Sequence, residues 1–323
     1  MRGPDWNGRA RRDRENHDMK RMLFVYNPTA GKGAAAAHLS GVVDQFTKAG
    51  WLTTVYPTQD KKDATRVARE LGSYYDRVVC CGGDGTLNEV VNGAAGYPNA
   101  AVTNVPKGTG NDFLRIFGAN YAARFSDLAA LSRGPQAAFD LMDCNGKLGI
   151  GVICAGVDSR VAADVHRYKR LPLVTGPGAY LLSLGVNVLL TDIARPTVVQ
   201  AGLDRLEEET SIICICNGRY YGGGFMPVGD AQPDDGVLDM VVVPRVSRFT
   251  FFRLVGAYAK GRYRSYPEVI RHFHGPAFSF SSPEELVAVI DGEVMRAKSF
   301  TVRISERKVA FFYPGDLDYR GEN

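Results

Sequence analysis

The chain has 323 residues, 45% of them hydrophobic, enough for two domains with sizeable cores. Its formal net charge of +4 suits an anionic partner such as a nucleotide or a membrane surface, and is too weak to indicate nucleic acid. Cys80, Cys81, Cys144, Cys154, Cys214 and Cys216 sit in apolar runs without a CxxC pair, which argues against a disulfide framework or zinc centre and for the reduced thiols of a cytoplasmic protein.

Residues 1–21 mix basic and acidic side chains and read as a disordered basic arm, or as an over-extended start before Met19 or Met22. The charged N-terminus does not read as a secretory signal. From Met22 the pattern becomes regular. Met22–Tyr26 is a short apolar strand, Asn27–Gly33 a glycine-rich turn, and Ala34–Ala49 places Leu39, Val42, Val43 and Phe46 at helical spacing before Gly50. Trp51–Tyr56 reads as a strand, Asp63–Leu71 as a helix, Arg77–Cys81 as a buried strand, Thr86–Asn92 as a helix and Ala100–Val105 as a strand. This alternation predicts a parallel sheet covered on both faces, a Rossmann-like three-layer α/β domain over 22–139.

After about residue 137 the pattern changes. Ala137–Cys144, Leu148–Cys154, Ser211–Asn217, Val237–Val243, Ala277–Phe280, Leu286–Asp291, Ser299–Ile304 and Lys308–Tyr313 all read as strands. Helical stretches are expected only near Gly178–Leu190 and Arg248–Tyr258; the first is too short to span a bilayer. The expectation is an antiparallel β-sandwich over 140–313, with residues 314–323 packing back on the first domain and the active site in the cleft between the two.

The sharpest segment is Val78–Glu89, where a buried strand runs into Gly82-Gly83-Asp84-Gly85-Thr86 and then a helix. Glycines let backbone approach a phosphate, and a helix N-terminus adds free N–H groups. An Asp there opposes phosphate unless a cation bridges them, which argues for a magnesium nucleotide; by itself the segment is equally a tight turn with Asp84 as a helix cap. Two more loops, Asn27–Gly33 and Pro106–Asp112, also follow strands and open helices. Asn27–Gly33 is not a Walker A loop, because Gly33 follows Lys32. Three small-residue loops delivered to one sheet edge point to nucleotide binding.

These loops together resemble the diacylglycerol kinase catalytic domain, a family that includes soluble bacterial lipid kinases, is related to sphingosine and ceramide kinases, and shares its Gly-Gly-Asp-Gly core with NAD kinases. The resemblance continues through Gly156-Val157-Asp158, where Ser159 replaces the family's Ala. It extends from Asn217 through Gly222-Gly223-Gly224 to Asp234–Asp239, with Gly229 where Pro is usual, and ends at Asp291-Gly292-Glu293. It spans roughly residues 22–315. It implies a transferase of phospholipid metabolism that uses Mg2+ and ATP. Asn27, Gly31, Thr58, Gly82, Gly83, Gly85, Thr86, Asn88, Gly108, Thr109 and Asn111 are then expected around ATP. Asp84 is expected at Mg2+, with Asp112 and Asp140 as partners in a carboxylate–water network, and Asp235 with Asp239 at a second, structural Mg2+.

Asp291 and Glu293, read as two apart on one strand, would share a face, with Glu293 as the base and Asp291 beside the metal; the Asp-Gly pair is also a hairpin signal. Arg248–Lys260 reads as an amphipathic helix, suited either to a headgroup boundary or to packing on the β domain. Gly176–Leu184 is read either as the wall of an acyl-chain pocket or as a core helix, and Arg167, Lys169 and Arg170 as solvated surface or a contact for anionic lipid. The resemblance implies transfer of the γ-phosphate of ATP to diacylglycerol at the inner face of the membrane. Another lipid alcohol (phosphatidylglycerol or a sphingoid base), NAD, or a non-catalytic regulatory role remain as alternatives, and homodimerisation is left open.

Overall fold

The computed structural model describes residues 20–28, 34–97, 99–108, 110–168 and 182–321. Nearly all of the expected arm, Gly31, Thr109, Lys169, Arg170 and most of Gly176–Leu184 lie outside these residues, as does the Arg167 side chain.

The first sheet contains β1 (Arg21–Tyr26), β2 (Leu52–Pro57), β3 (Arg77–Gly82) and β4 (Ala101–Pro106), all parallel, then β15 (Val309–Phe312) and the antiparallel β5 (Gln136–Phe139), in the order β2-β1-β3-β4-β15-β5. Its central strands β1, β3 and β4 are buried along most of their length because both faces are covered, and are apolar there apart from Thr103 and Asn104 of β4. On one face α1 (Ala34–Lys48) meets α5 (Leu128–Arg133), which follows α4 (Tyr121–Ser126); on the other, α2 (Asp63–Leu71) packs on α3 (Asp84–Ala94). The chain leaves β1 toward β2 on one side and returns to β3 on the other. Strand order thus reverses between the carboxyl ends of β1 and β3, where such sheets open a crevice.

The second domain is antiparallel: β6 (Met142–Cys144), β7 (Lys147–Gly149), β8 (Val152–Gly156), β9 (Arg195–Ala201), β10 (Asp204–Cys216), β11 (Leu238–Pro244), β12 (Arg271–Gly275), β13 (Ala277–Ile290) and β14 (Glu293–Ile304). β8 and β9 both pair with β10 and with β13, at different heights, so the sheet folds over on itself around two apolar clusters. The stretches read as two strands, Ala277–Phe280 and Leu286–Asp291, are the two halves of β13, with a register shift between Ser281 and Leu286.

Three expectations are corrected. Lys308–Tyr313 was expected in the β-sandwich, yet β15 lies inside the first sheet between β4 and β5. The physical reason is burial on both faces: Phe311 stacks on Phe139 at 5.5 Å and meets Phe113 edge-on at 5.4 Å, and Val309 and Phe312 are also buried. The single strand expected over Ala137–Cys144 is split at Asp140–Leu141 into β5 and β6, one for each sheet. A third helical stretch, α6 (Val157–Tyr168), follows β8, besides α7 (Arg248–Tyr258) and the π-helical turn Val186–Leu190.

Candidate active site

The loops at the carboxyl ends of β1, β3 and β4 are tied together by backbone. Asn27 N donates to Cys81 O at 3.2 Å, while Lys107 N and Gly108 N donate to Gly82 O at 3.0 and 3.2 Å. Gly83 and Gly108 lie so close that a Cβ on Gly108 would stand 2.4 Å from Gly83 Cα, so neither loop could carry a side chain there. Thr58, after β2, is held by its N–H to Tyr26 O at 2.9 Å. Thr86 is buried in the first turn of α3, and Gly85 is exposed with open space where a Cβ would be. The outcome is a glycine-lined mouth at a helix N-terminus, an arrangement that favours phosphate.

Asp84 is not used as a helix cap. Its Oδ1 accepts from Asp112 N at 2.6 Å, which brings together two carboxylates from different strand ends. Asn111 makes this turn in a left-handed conformation (φ 51°) and donates through Nδ2 to Gly108 O at 2.8 Å. A Cβ on Gly110 would lie 2.4 Å from Asp84 Oδ2 and 3.7 Å from Asp112 Oδ2, so both oxygens face the bare backbone of Gly110. Burial, then the Asp112 charge, push Asp84 up to about 6. Burial also raises Asp112, against the Gly223 N–H at 2.8 Å and the Arg115 guanidinium, whose Nε is 3.1 Å from Oδ1. Gly110→Ala would displace the Asp84 carboxylate. Its expected result is a loss of activity of about 100-fold with far-UV circular dichroism unchanged.

Two partly buried carboxylates with one guanidinium for compensation form a donor set that fits a divalent cation. Mg2+ takes one or two protein carboxylates and fills its shell with water and phosphate oxygens. Asp84 and Asp112 are the residues that would hold it. Among the described residues no group of three or more acidic, His or Cys side chains is assembled that could hold a metal ion.

Other expected residues have different partners, although the Asp291 charge still acts on Asp84. Asp291 and Glu293 do not share a strand face: Asp291 (φ 46°) and Gly292 (φ 88°) form the two-residue turn between β13 and β14, so the hairpin signal describes the backbone. The Asp291 carboxylate accepts from Ile150 N at 2.7 Å, Gly151 N and Val152 N at 3.0 Å, and Asn88 Nδ2 at 3.0 Å. Burial nevertheless raises its pKa. It is an anchor for backbone. Asn88 was expected at the nucleotide, yet its Nδ2 goes to Leu148 O and Asp291 and its Oδ1 accepts from Asn92, which joins α3 to the β domain. Glu293 follows on the same hairpin, partly exposed, with Oε2 3.3 Å from Lys147 Nζ.

Asp140 is not beside Asp84. β5 ends level with the start of β15, and β15 runs parallel to β4, so Asp140 lies past the amino ends of the parallel strands, at the opposite edge from the glycine mouth. Its Oδ2 accepts from Gly236 N at 2.8 Å, and Lys308 Nζ stands 2.8 Å from Oδ1, an ionic contact off the hydrogen-bonding line. Asp239, expected at a second Mg2+, is engaged by two imidazoles: its Oδ1 meets His272 Nε2 at 2.8 Å and His274 Nδ1 at 3.1 Å. Burial alone would raise Asp239, but these two imidazoles outweigh it and hold the pKa below the usual range. Asp235 is exposed and accepts from Val237 N at 3.1 Å.

Sequence reasoning missed two members of the site. Arg115 pairs with Asp112 and reaches Gly110 O at 3.3 Å; the Asp–Arg spacing of three on a helical turn was the available signal. Gly223 reaches Asp112 across 111 positions of sequence, and no local pattern announces that.

Residues 21–144 match the diacylglycerol kinase catalytic domain, and residues 151–312 match the YegS C-terminal NAD kinase beta sandwich-like domain. The chain is 28% identical over 279 residues to a diacylglycerol kinase of Bacillus subtilis (strain 168), covering 85% of this chain and 90% of that one. It is 29% identical over 307 residues to a diacylglycerol kinase of Staphylococcus aureus (strain bovine RF122 / ET3-1), covering 92% and 94%. The crystal structure of a diacylglycerol kinase from Bacillus anthracis str. Sterne superposes with a TM-score of 0.69 at 20% identity, over 92% of this chain and 97% of that one, a likeness of fold.

Proposed function

Because the chain belongs to the diacylglycerol kinase catalytic-domain family, we propose that it transfers the γ-phosphoryl group of Mg-ATP to the hydroxyl of diacylglycerol, releasing ADP and phosphatidate. The observation that carries this reading is the convergence of Asp84 and Asp112 on the bare backbone of Gly110, inside a glycine-lined helix N-terminus. A bound divalent ion supplies neutralisation of charge on the phosphoryl oxygens. The chain's own groups do the rest. The α3 N-terminus and the loops at Asn27, Gly83 and Gly108 orient the phosphates, and Arg115 holds Asp112 in place. The bond from the γ-phosphorus to the ADP oxygen breaks, a new one forms to the lipid oxygen, and the hydroxyl proton passes to Glu293.

The acceptor resides in a bilayer, and two features support peripheral contact with an anionic membrane surface from the cytoplasmic side. α7 buries Phe251, Leu254 and Tyr258 against the β domain but leaves Phe249 78% and Phe252 46% exposed. Exposed Leu189 and Leu190 lie next to it, tied by Arg248 Nε to Val188 O at 2.7 Å. Residues 248–264 carry five cations and no acid, the composition of an interfacial element. Among the described residues no helix is long and apolar enough to cross a membrane.

The test is a labelled-ATP assay on mixed micelles containing diacylglycerol, phosphatidylglycerol or a sphingoid base, with NAD in lipid-free buffer as a separate arm. Label on diacylglycerol is the expected result; label on NAD alone would remove the lipid reading. In the same assay Glu293→Ala should abolish turnover while nucleotide binding persists, and normal turnover would show that another group takes the proton.

A further inference from the structure

The loop that reaches Asp112 contains three consecutive glycines, Gly222, Gly223 and Gly224, with φ of 60°, 87° and 123°. Such a run has many alternative conformations and little preference of its own, so its shape must be imposed by its flanks. Tyr221 and Phe225 close it with reciprocal backbone bonds, each 2.9 Å. Outside that closure, Tyr221 OH donates to Asp158 Oδ2 at 2.9 Å, at the start of α6, and lies 3.2 Å from Tyr258 OH on α7. Met226 N donates to Ala259 O at 3.0 Å, just past α7. The base of the loop is therefore pinned to two helices of the β domain, while its tip donates from Gly223 N to Asp112 Oδ2 and lies against Arg115 in the other domain.

We propose that Tyr221 is a positioning residue for phosphoryl transfer: its hydroxyl, held by Asp158 and Tyr258, fixes the triple-glycine loop so that Gly223 N sets the orientation of the Asp112 carboxylate. The proposal rests on the reading of Asp84 and Asp112 as the magnesium–nucleotide site. Asp158 is the fixed point of the chain. It also accepts from Ser159 N at 2.8 Å, and burial, against these hydrogen bonds, pushes it up to about 6. It is a carboxylate kept in an apolar place because of what it holds. Tyr258 is buried among the residues that seat α7, so the side of α7 opposite its exposed aromatics is connected through the Tyr258 and Tyr221 hydroxyls to the base of the glycine loop.

Tyr221→Phe keeps the ring and removes only the hydroxyl. Amide hydrogen exchange at 222–224 should then quicken about tenfold, and affinity for a non-hydrolysable ATP analogue with Mg2+ should weaken by a similar factor. Affinity for the analogue in EDTA should change little, because the effect passes through Asp112. Tyr258→Phe leaves the Tyr221–Asp158 bond and should give a smaller change in the same direction. Ser183→Ala, which removes the buried bond from Ser183 Oγ to Val161 O on α6, controls for plain loss of stability and should leave exchange at the glycines unchanged. Unaltered exchange and metal-dependent affinity in Tyr221→Phe, or equal losses in Ser183→Ala, would overturn the proposal. If the parent binds no analogue at all, the functional reading fails, and the exchange experiment alone still decides whether Tyr221 orders the loop.

Discussion

Asp84→Asn should lower turnover on the order of 10³-fold, the scale of removing one preorganised electrostatic contact from a phosphoryl-transfer site, and should still fold. The amide keeps an oxygen for Asp112 N–H but removes the negative charge that a divalent ion requires. The same substitution should make the metal-free protein more stable at pH 8. Asp84 has a folded pKa of about 6 against an ordinary 3.8, so the fold prefers its protonated form. That preference is fully present below about pH 4 and is lost as pH rises through about 6; ionisation by pH 8 costs up to about 3 kcal/mol. Thermal melts in EDTA at pH 5 and pH 8 should show the parent losing stability across that range and Asp84→Asn losing less. Mg-ATP should raise the melting temperature of the parent more than that of the variant. Retention of normal turnover by Asp84→Asn would remove the basis for the proposed chemistry.

Asp291→Ala is expected to cost about 3–5 kcal/mol in urea unfolding, since four buried donors lose their acceptor at once. Three of these are successive backbone N–H groups leading into β8, and the fourth is Asn88 on α3, so the loss falls on the join between the two domains. Asp291→Asn should also destabilise, because either orientation of the amide turns an N–H toward a donor that now faces a carboxylate oxygen. Activity should fall in both variants in step with the folded fraction. If Asp291 instead acted on substrate, Asp291→Asn would lose turnover while its unfolding midpoint stayed with the parent.

The contrast between Asp84 and Asp291 shows which parts of the site were legible. Asp84 is announced locally by a buried strand, a glycine turn and a helix start within twelve residues, because a glycine turn that opens a helix N-terminus is itself a local device. Asp291 carries an equally local signal, Asp-Gly as a hairpin turn, and the backbone obeys it; what its carboxylate does depends on backbone 140 residues away. Asp140 was placed with Asp84 by resemblance, and strand register puts it at the other edge of the sheet.

Period and composition were enough for the alternating elements from Met22 to Val105 and for the antiparallel character of the second half, because helix and strand patterns express which face of each element is buried. They could not say which sheet a short apolar strand joins. Val309–Phe312 suits any interior, and its place in the first sheet is set by tertiary packing, including that of Phe311 on Phe113 and Phe139. Nor could they bring Gly223 to Asp112, or Tyr221 to Asp158 and Tyr258. Those contacts join segments 37 to 111 residues apart. The local chain carries the preference for strand, helix or turn; the choice of partner belongs to the packed fold, where burial and hydrogen-bond satisfaction are decided for all segments together.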